Sequence, residues 1–96
     1  MKMFMIIYSQ AADYDVIKQF KKAGIRHYTK MEQAQGEGDE TEPKLGTHCW
    51  PGKNNVLFLA IPNEACEAVH DVVKHLKENH PRAGVKAFVL PMEETV

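Results

Sequence analysis

Twice in this 96-residue chain a short, unbroken apolar run is followed at once by an amphipathic stretch, and this duplicated unit narrows the possible folds sharply. Met3-Phe4-Met5-Ile6-Ile7-Tyr8 is short for a helix and carries no polar face, which suits a strand with apolar side chains on both sides. Val56-Leu57-Phe58-Leu59-Ala60-Ile61, within a strand predicted over Asn54–Ile61, repeats that character. After the first run, Val16, Ile17, Phe20 and Ala23 recur at helical spacing, with Lys18, Gln19, Lys21 and Lys22 between them. Asp13 is expected to cap this helix and Gly24 to end it. After the second run, Pro62-Asn63-Glu64 is expected to open a helix capped by Asn63. Its apolar stripe is Cys66, Val69, Val72, Val73 and Leu76, its outer face carries Glu67, His70, Lys74, Lys77 and Glu78, and Pro81 stops it.

Each unit closes on a further strand. Ile25–Gln35 is weakly patterned, because Ile25, Tyr28 and Met31 do not alternate and the residues between them are polar. Val85–Leu90 follows Gly84 and ends at Pro91. The order strand, helix, strand, long connection, strand, helix, strand predicts a ferredoxin-like α+β sandwich, βαββαβ, with an antiparallel sheet and both helices on one face. The whole chain, 1–96, forms one domain. With helices on one face only, strands that are apolar on both sides leave an uncovered patch larger than monomers usually carry. A second copy of the sheet is the simplest cover, so a homo-oligomer is expected.

Twelve basic and thirteen acidic residues give a formal net charge of −1, which offers no basic surface for nucleic acid or an anionic membrane. Two cysteines are too few for a disulfide scaffold and suit a reducing compartment. The apolar start is too short for a signal-peptide core or a membrane span, so a cytoplasmic protein is expected.

Between the halves lies Gly36–Gly52, a long connection with no strand or helix pattern, of the kind that is usually functional or disordered. Its acidic run, Glu37, Asp39, Glu40 and Glu42, lacks the fixed spacing of a calcium loop and fits a solvated segment as well as a hard-cation site. Its far end, His48-Cys49-Trp50, offers imidazole and thiolate to copper or zinc, or else a packing anchor; no CxxC or HxxxH spacing closes a metal site. Gly36 and Gly38 allow backbone to approach a phosphate or carboxylate. Arg82, Gly84 and Lys86 surround the start of the last strand, where cations can neutralise phosphate. His70 and His75 are expected to face solvent, and His80 to sit at the helix end, where a cation is favoured. No buried acid–base pair stands out in the strands, so an enzyme is not expected.

With these residues in view, the chain resembles the P-II signalling family, in its short, divergent P-II-like branch. The resemblance rests on Met1-Lys2 with Ile6-Ile7, on Ala23-Gly24-Ile25, on Tyr28-Thr29 leading to Gly36-Glu37-Gly38, and on Gly84-Val85-Lys86 running into Ala87–Glu93. Gly46-Thr47-His48-Cys49-Trp50-Pro51-Gly52 is similar to a signature of the shorter branch. The resemblance implies a homotrimer with sheets facing inward, and identifies 36–52 as the T-loop offered to a transporter, enzyme or regulator. It implies an adenine nucleotide effector (ATP, ADP or AMP) between subunits, lined by Ile7, Thr29, Gly36, Gly38, Arg82, Gly84 and Lys86. It implies a non-enzymatic regulator of the kind known from nitrogen regulation. Two features depart from the family pattern: the glycine-rich Asp-Gly-Lys turn reads Arg82-Ala83-Gly84-Val85-Lys86, and the last residues are Glu93-Glu94-Thr95-Val96 rather than basic. The alternative is a CutA-like trimer that binds copper through His48 and Cys49.

Overall fold

The computed structural model describes residues 1–37 and 52–96. In chain order the elements are β1 (Lys2–Ser9), α1 (Asp13–Lys22), β2 (Thr29–Ala34), β3 (Asn54–Ile61), α2 (Cys66–Asn79) and β4 (Lys86–Pro91). Short 3-10 turns at Gln10–Ala12, Asn63–Ala65 and Pro81–Ala83 lead into or out of the helices. The strands form one antiparallel sheet in the order β2-β3-β1-β4, as the ferredoxin-like pattern requires.

One face of the sheet is dry. Phe4, Ile6 and Tyr8 of β1 and Leu57, Leu59 and Ile61 of β3 are buried against Val16 and Phe20 of α1 and Val69, Val72, Val73 and Leu76 of α2. All belong to one core cluster, which places both helices on this face. Fully burying each such side chain contributes about 1.5–3 kcal/mol. The opposite face carries Met3, Met5 and Ile7 of β1, Val56 and Phe58 of β3, and Phe88 and Leu90 of β4. Phe88 remains 46% exposed and Leu90 44%. The apolar second face inferred from the strand composition is therefore present and, among the described residues, left partly exposed.

The helix starts differ from expectation. Ala12, not Asp13, occupies the cap position of α1, and no side chain caps it. Asp13 lies inside the first turn and spends its carboxylate on tertiary contacts instead. Asn63 does not cap α2 either, because Asn63–Ala65 forms a separate 3-10 turn and α2 begins at Cys66. The thiol of Cys66, half-buried rather than part of the core, donates to the Pro62 carbonyl at 3.5 Å. The second strand is shorter than the predicted Ile25–Gln35. Gly24, at φ +83°, turns the chain out of α1, and the Ile25 amide bonds back to the Phe20 carbonyl at 2.9 Å. Ile25 thus serves the helix end and packs on the core, and pairing starts only at Thr29.

Candidate functional site

The residues predicted to line a ligand cleft are spread across the sheet, with Thr29 on one edge strand, Lys86 on the other and Ile7 on the inner strand β1. On β1, Ile7 is half-buried on the open face and pairs with Val56 on one side and Lys86 on the other. Lys86 opens the edge strand β4 and is exposed. Just before it, Gly84 ends the Pro81–Ala83 turn in the left-handed region, at φ +61°. Arg82 lies in that turn, exposed. Thr29 opens the other edge strand, β2, and pairs with Phe58, which pairs in turn with Met5, itself opposite Phe88. Thr29 is thus three strand spacings, roughly 14 Å, from β4, and two residues along from the row of Ile7. One chain brings Ile7 and Lys86 together but does not bring Thr29 to them.

Gly36 comes after β2 at the end of the sheet where β3 begins. A Cβ placed there would stand 2.9 Å from Nδ2 of Asn54. Asn54 pairs with Ser9, two residues beyond Ile7. The bare backbone of Gly36 thus borders the same end of the sheet as Ile7 and the Gly84–Lys86 turn. Gly38, His48 and Cys49 lie outside the described residues, as does most of the 36–52 segment.

A polar hub missed in the sequence holds the start of β2 in place. The Asp13 carboxylate accepts from the Tyr8 hydroxyl at 2.6 Å, from Asn55 Nδ2 at 3.0 Å and from Lys30 Nζ at 3.0 Å. Tyr8 and Asn55 are fully buried. Burial alone would raise the Asp13 pKa, yet the three donors together outweigh it and hold the carboxyl below its ordinary value. Burial, and then the bond to Asp13, push the Tyr8 phenol far above its ordinary range. The bond to Asp13 raises the Lys30 ammonium. The Lys30 side chain comes from the helix-facing side of β2, so the hub pins β2 to the start of α1 and to β3. Asn55 Oδ1 meets no donor among the described residues. The sequence signals were faint: one Asn at the head of an apolar strand, and one Lys in a strand already polar throughout.

β2 also carries a register shift between Met31 and Ala34, with Gln33 at φ +63°. Bulges of this kind bend a strand and re-aim the chain beyond it. Here that chain is Gly36 and the start of the long connection.

Among the described residues, no three His, Cys, Asp or Glu side chains gather as a metal site. Among them, too, no helix is long and apolar enough to cross a membrane. His70, exposed on α2, meets the Phe4 ring edge-on at 5.6 Å, and His80 lies 3.9 Å from Asp15.

The model of the family described as nitrogen regulatory protein P-II matches residues 1–96. The chain belongs to the P-II family. It is therefore a P-II-like signalling regulator by family, and that family is one of regulatory proteins rather than enzymes. No curated protein matches the chain. Among solved structures it is similar to CPII from Thiomonas intermedia K12 bound to ADP, AMP and acetate, with a TM-score of 0.74 at 17% identity over 99% of this chain and 88% of that one. CPII bound to ADP, AMP and bicarbonate, from the same organism, gives 0.70 at 19% identity, over 92% of this chain and 81% of that one. A PII-like signalling protein from Thermus thermophilus gives 0.61 at 25% identity, with the same coverage of 92% and 81%.

Proposed function

We propose that this P-II-like chain is a cytoplasmic homotrimer that binds an adenine nucleotide between subunits and regulates a partner protein through residues 36–52. The observation that carries the reading is the division of the ligand residues between opposite sheet edges. Thr29 sits on the β2 edge, whereas Lys86 sits on the β4 edge with Ile7 beside it on β1. Copies set edge to edge would bring the two sets into one cleft. The uncovered face of Met5, Phe58, Phe88 and Leu90 supplies the driving force for such an assembly. The residues present suit a nucleotide: Lys86 offers a cation for phosphate, and Gly36 brings bare backbone to the same end of the sheet. The adenine nucleotides bound by the CPII structures support the same ligand class.

In this reading the nucleotide is a signal and not a substrate. It binds one conformation of the 36–52 segment better than others, and differential affinity alone shifts which conformation the partner meets. The partner is a membrane transporter or a metabolic enzyme. Calorimetric titration of the wild type with ATP, ADP and AMP, alongside Lys86→Ala, tests the site. Saturable binding that Lys86→Ala weakens by about tenfold supports it, the loss expected for one charge-assisted phosphate contact. Absence of nucleotide binding, or binding indifferent to Lys86, refutes it.

A further inference from the structure

A second surface of different character lies on the helix side of the sheet, beside the start of β2. A groove of about 590 Å³ runs between α1 and the segment entering β2. Its cations are Lys18, Lys21, Lys22, Arg26 and Lys30. The sole acid in its lining is Asp13, which is already engaged by Lys30 at 3.0 Å. Among the described residues the remaining ion pair is that of His80 with Asp15, so Lys21, Lys22 and Arg26 have no carboxylate of those residues within 4.0 Å. Lys18 instead lies 5.8 Å from the centre of the Tyr14 ring. Ile17 and the two tyrosines, Tyr14 (75% exposed) and Tyr28 (39% exposed), give the groove an apolar lining.

We propose that this groove docks an extended, carboxylate-rich segment of a partner protein. The spacing favours an extended chain over a compact anion. Lys18 and Lys22 are one helical turn apart, roughly 6 Å along the axis, close to the roughly 6.6 Å between alternate residues of an extended strand. Arg26, beyond the turn at Gly24, lines the facing wall, so the cations border the groove from both sides rather than from one point. Apolar lining between the cations suits an uncharged residue set between two acids, and Tyr and Arg are the residue types that most often anchor protein interfaces. The chain's net charge of −1 gives it no overall positive field, which argues against a nucleic-acid or membrane surface. The groove faces away from the open apolar face, so burying that face in an oligomer leaves the groove accessible. A partner can be held here at a point separate from Lys86, which lies on the opposite edge strand.

The test is fluorescence anisotropy with the full chain and a labelled synthetic peptide carrying glutamate at alternate positions around a central leucine. Inorganic triphosphate and phosphatidylserine-containing vesicles serve as competitors. The wild type is expected to bind the peptide saturably, and more weakly as salt rises. Lys21→Glu with Arg26→Glu is expected to weaken binding by about tenfold or more, from two lost and two repelling contacts. Both positions are exposed, and an unchanged Tm in that variant assigns the loss to the groove. Tyr14→Ala, which keeps every charge, is expected to weaken binding severalfold. Lys86→Ala is expected to leave peptide binding unchanged, which separates this surface from the nucleotide site. No saturable binding by the wild type, wild-type affinity in the doubly reversed variant, or preference for triphosphate or vesicles over the peptide overturns the proposal.

Discussion

Replacing Asp13 by alanine tests whether the hub or the helix cap is its true role. A cap lost from a helix start costs about 1 kcal/mol. The hub predicts more. Asp13→Ala leaves the Tyr8 hydroxyl and Asn55 Nδ2, both on fully buried residues, without their acceptor. Each stranded donor costs about 1–3 kcal/mol. The pair with Lys30 is partly exposed and adds only about 0.5 kcal/mol after solvent screening. The expected loss is about 2.5–6.5 kcal/mol, a large share of the about 5–15 kcal/mol that stabilises a whole domain. Asp13→Asn keeps an oxygen for the same two donors and loses mainly the charge, so it is expected to cost about 1 kcal/mol. Urea unfolding at one fixed protein concentration reads both, the fixed concentration being needed because assembly adds to apparent stability. Asp13→Ala within about 1 kcal/mol of the wild type, or Asp13→Asn as damaging as Asp13→Ala, would refute the reasoning.

The sign of the pH dependence is set by the same contacts. Asp13 has a folded pKa below its unfolded value. Its contribution is therefore complete above the ordinary carboxylate value and is lost as pH falls through the lower folded value. The gap between wild type and Asp13→Asn should close in strong acid. At the alkaline end, Lys30 and Tyr8 have raised folded values. Their contributions hold up to the ordinary lysine and tyrosine range and fall away above it.

Other outcomes depend on single positions. Phe88→Glu puts charge in the middle of the open apolar face and removes about 1.5–3 kcal/mol of burial per copy on assembly, so it should shift light scattering from oligomer to monomer. Gly84→Ala forces a side chain into the left-handed region at φ +61° and should cost about 1–2 kcal/mol in urea unfolding. Gln33→Val places a β-branched residue at φ +63° in the β2 bulge and should cost about 1–3 kcal/mol, whereas a neutral result would argue against that bulge.

How far the residues alone could take the argument depended on whether their signal was local. The two apolar runs and the two amphipathic stripes are local patterns, and they set β1, α1, β3, α2 and their order; β3 spans Asn54–Ile61 as predicted. Gly24 and Gly84 mark turns for a backbone reason that the residue type itself carries. The Asn63 cap was missed because a separate 3-10 turn precedes α2, and the Asp13 cap for a tertiary reason. A carboxylate near a helix start satisfies any nearby donor, and only the assembled sheet decides whether that donor is the helix or a neighbour such as Tyr8. Lys30 looked like one more polar residue on a weak strand, because its partner is seventeen positions away and Asn55 is a further twenty-five. The apolar second face was legible from composition, since residues on both sides of a strand must point somewhere. Which candidate ligand residues share an edge was not legible, because that depends on register: the β2-β3-β1-β4 order sets Lys86 beside Ile7 and sends Thr29 to the far side. Local patterns thus determined β1, α1, β3, α2 and the apolar second face. Long-range pairing, which brings together residues with no sequence relation, decided the hub, the basic groove and the division of the ligand residues between two edges.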